Sequence, residues 1–275
     1  MTEASVARYG VHTQARSSNA LDRAIEQIKL LGFAVVDGGF DAEGLRRLAS
    51  TFDRVLESTQ SLYGGRDELK RIDEHNTIRV PLAHDRLFLD LAMNANVLEV
   101  CRQLIGDYII LNQQNGIINP PNAQTYNQAA YHRDLPYQHF VSSRPLAINA
   151  LFCLDPFTLE NGSTLVVPAS HKEEAFPSDL TVEALQKTVT APAGSFLVLD
   201  AMLFHRGGVN QTSSPRRAVN HLYTIPLMRQ QINLPSFLGP DYTEDKQTRR
   251  LLGYEVETPR DVSAFYGARR SRMST

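Results

Sequence analysis

The character of the sequence changes near residue 107, and this change limits the fold more than any other feature. Before it, apolar residues recur at helical spacing, as in residues 19–31, where Ile25 and Ile28 share one face and Gly32 is a stop signal. After it, short runs rich in Val, Ile, Leu and Phe are separated by Pro, Gly and Asn. Helices first and strands afterwards, without alternation between them, predict an α+β chain whose strands form a sandwich or barrel.

The N-terminal part is predicted to be mostly helical. A helix over residues 19–31 precedes a strand in FAVVDGG, and a second helix is centred on Leu48 and Phe52. A third helical region covers residues 86–105. Because a single core commonly grows to about 250–300 residues, we expect one domain over residues 1–275. Its helical part spans about 19–106, its β core about 107–230 and its C-terminal tail about 231–275.

The charge balance excludes an electrostatic footprint for nucleic acid. The 28 Lys and Arg residues nearly match the 30 Asp and Glu residues, which leaves a net charge of −2. Arg269, Arg270 and Arg272 are the local exception, and a short solvated tail explains them. Neither an apolar run of about 18 residues nor a signal-peptide pattern occurs, so we expect a cytoplasmic protein without a membrane partner. The sequence has no heptad pattern, so it does not indicate the oligomeric state.

His132 and Asp134 stand two residues apart in the segment AAYHRDLPYQHF. On an extended chain this spacing projects both side chains to the same side, as a metal site of two histidines and one carboxylate requires. A chain with eight His and 30 acidic residues contains about one such pair by chance, so the pair alone decides nothing. Indeed His171 and Glu173 form a second pair, in a charged segment that predicts an exposed turn.

His205 offers the third ligand. It is predicted to close an apolar strand, a position that is also typical of a core histidine. Arg216 follows eleven residues later, and its planar fork is suited to binding a dicarboxylate, although a surface pair with Arg217 is the alternative interpretation. If Arg216 faces the barrel interior, alternation along the strand predicts that Ala218 and Asn220 do so too.

Several stretches in order along the chain resemble the phytanoyl-CoA dioxygenase family of Fe(II)/2-oxoglutarate-dependent oxygenases. They are GFAVVDGGFDAEGLRRL, YHRD, ENGSTLVVPASHK, APAGSFLVLDAMLFHRGGVNQTSSPRRA and LLGYE, and they extend over most of the sequence. The resemblance implies a double-stranded β-helix, a cupin-like jelly roll, with N-terminal helices buttressing one sheet. It also implies that His132, Asp134 and His205 bind iron, that Arg216 binds the distal carboxylate of 2-oxoglutarate, and that His171 is structural.

Two positions depart from the family pattern. Many relatives carry a lysine or another cation before the H-x-D motif that helps to bind 2-oxoglutarate, whereas LNQQNGIINPP supplies only amides. Gln113, Gln114 and Asn119 are therefore the candidate substitutes. Ala169 replaces the glycine of the family's Pro-Gly-Ser-His turn, which affects the turn and does not indicate lost activity. Asp134 stands where related halogenases have a small residue, and this favours hydroxylation over halogenation.

The resemblance implies an enzyme that uses Fe(II), 2-oxoglutarate and O2 to hydroxylate a substrate, with succinate and carbon dioxide as co-products. Desaturation and epimerisation stay open, as do a cupin-like isomerase and a protein that binds a ligand without turnover. Tyr131, Arg133, Tyr137 and His139 are candidates for binding the substrate because they lie next to the metal ligands in sequence. This polar and aromatic set favours a polar small molecule, such as a secondary metabolite, a sugar or a nucleotide-like compound.

Overall fold

The computed structural model of the protein describes residues 6–135 and 140–273. The helices are α1 (Ala20–Leu31), α2 (Ala42–Leu62), α3 (Arg66–Arg71), α4 (Arg86–Ala92), α5 (Ala95–Leu104), α6 (Asp179–Leu185), α7 (Leu234–Leu238), α8 (Lys246–Leu251) and α9 (Val262–Met273). The strands are β1 (Phe33–Asp37), β2 (Thr77–Arg79), β3 (Ile110–Asn119), β4 (Ala147–Cys153), β5 (Thr164–Val166), β6 (Lys187–Val189), β7 (Ser195–Asp200), β8 (His205–Arg206) and β9 (Arg216–Thr224).

The strands form two antiparallel sheets. The larger sheet has six strands in the order β1-β7-β4-β9-β3-β2, and the smaller has three in the order β6-β5-β8. Sequence neighbours are rarely paired within the larger sheet, because the chain crosses repeatedly between the two sheets. The arrangement is the two-sheet architecture that the short strands and turn residues predict.

The helices cover one face of the six-stranded sheet. Phe52 of α2 and Phe88 of α4 belong to the main core together with Phe152 of β4 and Phe196 of β7, and all four are fully buried. Side chains alternate along a strand, so the neighbouring positions point to the opposite face, where Leu197 packs against the three-stranded sheet. The helical layer therefore buries one face and leaves the other to line the space between the sheets.

The predicted helix boundaries agree with the structure at α1 and differ further along the chain. Gly32 ends α1 in the left-handed conformation with φ +87°, as the stop signal predicts. The helical region predicted over residues 86–105 contains two helices, because the Asn94 side chain accepts from the amides of Asn96 and Val97 and starts α5 anew. The segment predicted as a C-terminal tail also contributes to the main core, through Leu234, Leu251 and Leu252.

None of the helices in the described part of the chain is long and apolar enough to cross a membrane.

His221 lies on the helical side of β9 and is fully buried. Its Nδ1 donates to the Ala150 carbonyl at 3.0 Å, since a carbonyl can only accept, and its Nε2 accepts from the Gln114 amide at 2.9 Å. The same amide donates to the Phe88 carbonyl at 2.6 Å, and its oxygen accepts from the Leu82 amide at 2.9 Å. Burial lowers the pKa of His221 to about 4, so the ring is neutral in the folded protein.

We expect the free energy of unfolding to fall as the pH decreases from about 6.5 towards 4. In this window the unfolded chain protonates His221 and the folded chain does not, which costs up to about 1.4 kcal/mol for each pH unit. Urea unfolding at several pH values should show a shallower pH dependence for His221→Gln than for the wild type. His12→Gln, which removes an exposed histidine outside the core, is the control substitution. Equal pH dependence in the wild type and His221→Gln would contradict the role of His221.

Candidate metal centre

A backbone pair brings His132 and His205 together although they are distant in sequence. The His132 amide donates to the His205 carbonyl at 3.0 Å, and the His205 amide donates to the His132 carbonyl at 3.1 Å. The centroids of the two imidazole rings are 4.5 Å apart. On its other side His205 pairs with Val166 of β5, so the metal centre is attached to the edge of the three-stranded sheet.

The apolar strand predicted to close on His205 ends earlier. β7 stops at Asp200, whose carboxylate accepts from the Met202 amide at 2.9 Å and stabilises a turn. The chain then crosses to the other sheet, where His205 opens β8. The prediction was wrong at this point because Leu203 and Phe204 in the turn are as buried as strand residues, and apolar sequence alone does not distinguish a buried turn from a strand.

Asp134 joins the two histidines through the next backbone contact. Its amide donates to the Ala201 carbonyl at 3.0 Å, which extends the pairing that starts at His132. The ligand atoms of His132, Asp134 and His205 all lie within 4.8 Å of one another, and Asp134 Oδ1 is 3.8 Å from His205 Nε2. The predicted triad is therefore assembled, and it is the one group of this kind in the described residues.

The tautomers of both histidines suit a metal. His132 Nδ1 lies 2.9 Å from the Ala130 carbonyl, and His205 Nδ1 lies 2.9 Å from the Leu203 carbonyl. Each Nδ1 must donate, so each Nε2 keeps a free lone pair for a ligand bond. Burial, together with the neighbouring His132, lowers the pKa of His205, while Asp134 opposes this shift. Two neutral imidazoles and one carboxylate form the donor set of a non-haem Fe(II) site.

Arg216 opens β9 and is buried, with 3 % of its surface exposed. Its Nη1 donates to the Gly162 carbonyl, and its guanidinium lies over the Phe157 ring, 3.9 Å from the centroid. Its Nε has no hydrogen-bond partner, and no carboxylate among residues 6–135 and 140–273 forms an ion pair with it. Arg217 points to the opposite face and pairs with Asp155, as alternation predicts.

Tyr126 lines the same cavity, and it was not among the site residues predicted from the sequence. The cavity contains the metal ligands and Arg216, and Tyr126 lies beside the Arg216 guanidinium. Burial raises the pKa of Tyr126, and the positive charge of Arg216 opposes this rise. Gly207 makes this placement possible, because a Cβ at that position would lie 1.8 Å from the tyrosine hydroxyl. The two glycines after His205 were the available signal, but they did not identify the loop residue that fills the space.

The glutamines predicted to assist Arg216 are not in the cavity wall. Gln114 is on the helical side of β3, where its amide bonds to Phe88, Leu82 and His221. Gln113 is half-buried and does not line the cavity. Asn119 pairs with Arg216 across the sheet, and its amide donates to the carbonyls of Gly162 and Gly208. This amide therefore positions the loop that also receives Arg216.

Two of the candidate substrate residues point away from the metal ligands. Arg133 is buried; its guanidinium lies 3.9 Å from the centroid of the Phe204 ring and donates to the carbonyls of Met202 and Ser170. The hydroxyl of Tyr131 donates to Gln186 at 3.0 Å. Neither residue lines the cavity. Tyr137 and His139 lie outside the described residues.

His171 is buried beneath the turn that contains Ala169. Ala169 adopts φ +64°, a left-handed conformation that glycine adopts more readily and that explains the glycine of the family pattern. His171 and Glu173 belong to no potential metal group among the described residues. The competing pair lies in the predicted turn, in agreement with the structural interpretation of His171. The prediction that this turn is exposed holds for Glu173 and was wrong for His171, which is buried.

Comparison with known proteins identifies the family. The family model described as phytanoyl-CoA dioxygenase matches residues 29–218. The chain belongs to this family. The predicted family and the predicted enzyme class, a dioxygenase, are therefore confirmed.

Relatives of the phytanoyl-CoA dioxygenase family align with most of the chain. An uncharacterised protein of Mycobacterium tuberculosis is 29 % identical over 264 residues, which are 93 % of this chain and 95 % of that protein. The iron/alpha-ketoglutarate-dependent dioxygenase ausO of Aspergillus calidoustus is 26 % identical over 84 % of this chain and 82 % of its own length.

A solved structure of the epimerase SnoN, in complex with Fe3+, alpha ketoglutarate and nogalamycin RO, has a similar fold. It matches with a TM-score of 0.59 and 20 % identity over 82 % of this chain and 92 % of SnoN. At this identity the likeness is one of fold, and it confirms the predicted jelly-roll core with buttressing helices.

We expect the protein to bind one Co(II), used as an oxygen-stable probe for Fe(II), through this triad. His132→Ala, Asp134→Ala and His205→Ala should each weaken binding by about 100-fold or more, because each removes a direct ligand and leaves an incomplete donor set. Isothermal titration calorimetry measures the affinity. Glu173→Ala is the matched control, since it removes an exposed carboxylate from the competing pair, and it should bind Co(II) as the wild type does. Wild-type affinity in all three triad variants would reject the site.

Proposed function

We propose that this protein is an Fe(II)- and 2-oxoglutarate-dependent oxygenase that hydroxylates a polar small molecule and releases succinate and carbon dioxide. The observation that carries the proposal is the buried Arg216, which shares a cavity with the triad and has no carboxylate partner among the described residues. A buried cation without a counter-charge is costly. A dicarboxylate bound between Arg216 and the metal would supply that charge, and 2-oxoglutarate has this chemistry.

Each part of the cavity has a role in this proposal. His132, Asp134 and His205 hold the iron, which when bound supplies the redox chemistry that couples oxidation of 2-oxoglutarate by O2 to hydroxylation of the substrate. Arg216 binds and orients the distal carboxylate of 2-oxoglutarate, with the Phe157 ring behind its guanidinium. Apolar side chains that line the cavity, namely Ile117, Leu151, Leu199 and Ala218, exclude water from the reaction.

Tyr126 is our candidate for the helper that the family pattern supplies as a cation. It lies next to Arg216 in the cavity wall, and its hydroxyl can donate to the same carboxylate. A neutral donor adds a hydrogen bond without a second buried positive charge. Gln114 is not part of the proposal, because its amide is engaged on the helical face of the sheet.

Two unpartnered amide oxygens support a polar substrate. Asn149 and Asn220 line the cavity with 2 % and 6 % of their surfaces exposed, and neither Oδ1 has a hydrogen-bond partner in the described part of the chain. Buried acceptors require donors, so hydroxyl or amino groups on the substrate fit better than a bare hydrocarbon chain. Asp134 retains its carboxylate, which favours hydroxylation over halogenation. The epimerase among the proteins of similar fold makes epimerisation the second candidate.

Anaerobic titration of the Fe(II)-loaded protein with 2-oxoglutarate tests the co-substrate. We expect a saturable visible charge-transfer band in the wild type. Arg216→Met should weaken 2-oxoglutarate binding by about 100-fold, because truncation of one partner of a buried charge pair costs about 2–5 kcal/mol. Arg217→Met removes a neighbouring arginine on the opposite face and should leave the band and the affinity unchanged.

Admission of O2 then distinguishes an oxygenase from an isomerase or a binding protein. The loaded wild type should form succinate slowly when O2 is admitted without a substrate, and a substrate should accelerate this reaction. A band that never forms although Fe(II) is bound would indicate an isomerase or a binding protein. A band without succinate formation, even during a screen of hydroxylated and amino compounds, would contradict the oxygenase.

A further inference from the structure

Asn149 lines the same cavity as the side chains of the triad. It lies in the middle of β4, where its backbone pairs with Leu199 of β7 on one side and with Leu222 of β9 on the other. Because β4 is hydrogen-bonded to a strand on each side, the Cα position of Asn149 is fixed. Only 2 % of the residue is exposed. Asn149 faces the cavity that contains the triad.

The two oxygens of the Asp134 carboxylate have different neighbours. Oδ1 lies 3.8 Å from His205 Nε2, among the ligand atoms of the triad. Oδ2 accepts a hydrogen bond of 2.8 Å from the Asn149 amide nitrogen. The carboxylate is therefore turned so that one oxygen faces the metal position while the other is engaged by the sheet.

We propose that Asn149 is a positioning residue that makes Asp134 a ligand through one oxygen. An Oδ2 engaged by Asn149 would not turn to bind the metal as well, so Asp134 would offer a single ligand oxygen. The inference rests on the proposed function, since it assigns Asp134 to the metal, and it adds a role for a residue outside the triad.

An amide suits this role better than a cation. A lysine or arginine at this place would hold Oδ2 too, but its charge would compete with the metal for the carboxylate. The Asn149 amide donates one hydrogen bond and leaves the charge of Asp134 to the metal. The Asn149 amide also holds the carboxylate of Asp134, whereas the backbone contact between Asp134 and Ala201 fixes only the main chain.

Asn149→Leu tests the inference, because leucine has the same branching at Cγ as asparagine and cannot donate a hydrogen bond. We expect the variant to bind Co(II) about 10–100-fold more weakly, which is the usual effect of removing a group that orients a metal ligand. The visible d–d absorption of bound Co(II) should also change, because a freed carboxylate can bind through both oxygens. If Asn149→Leu does not give the wild-type near-ultraviolet circular dichroism, Asn149→Ala removes the same donor without overpacking the wall.

Asn220→Leu is the matched control. Asn220 is a buried asparagine of the same cavity, and its side chain has no hydrogen bond to Asp134 in the structure. Its substitution should leave the Co(II) affinity within about twofold of the wild type and the spectrum unchanged. An equal loss of affinity in Asn149→Leu and Asn220→Leu would overturn the inference, because the effect would then belong to the cavity wall in general.

A double-variant cycle separates this inference from the proposed function. In an Asp134→Ala background, Asn149→Leu should cause no further loss of Co(II) affinity, because the group it positions is absent. If Asp134→Ala weakens Co(II) binding while Asn149→Leu has the affinity and spectrum of the wild type, the positioning role is wrong and the metal centre stands. If Asp134→Ala binds Co(II) as the wild type does, the assignment of the metal centre fails, and the inference fails with it.

Discussion

The candidate metal centre depends on one short antiparallel contact, the mutual pair of backbone hydrogen bonds between His132 and His205. The contact joins the segment that follows β3 to the first residue of β8. It continues from the Asp134 amide to the Ala201 carbonyl, so the two segments run side by side. Side chains from two distant segments, residues 132–134 and residue 205, converge because the two backbones are paired. The Nδ1 atoms of both histidines lie against local carbonyls.

The two faces of the larger sheet have different surroundings. One face packs against the helices, and the other lines the cavity. On β9, Val219, His221 and Tyr223 point into the helical layer, where they belong to a dense core or bond to buried amides. Arg216 and Asn220, on alternate positions, line the cavity. Three buried polar atoms on this face, Arg216 Nε and the Oδ1 atoms of Asn149 and Asn220, have no partner among the described residues. This is costly for stability unless a ligand supplies the partners. Because the helices cover one face of the sheet, polar side chains that can bind a ligand lie on the other face.

Much of the candidate site could be predicted from local spacing. The spacing of His132 and Asp134 predicts that both side chains point to the same side. Alternation along β9 predicts that Arg216 and Asn220 face the same way. The structure has both features. Asn149 was missed because the run LAINALFCL reads as a buried strand, in which one asparagine is a minor exception. Tyr126 was missed because loops carry no periodicity. Gln114 was expected near Arg216, but the sequence does not specify which face of β3 the helices cover.

The sequence by itself determined the order of helices and strands, the cap that ends α1 and the residue types of the candidate metal centre. These features depend on contacts between residues close along the chain, which spacing describes directly. Only the tertiary structure decided that β7 ends at Asp200, that Asn149 holds Asp134, and that Tyr126 fills the space above Gly207. Those features depend on which segments pair and in which register, and long-range pairing is set by the packing of the whole chain.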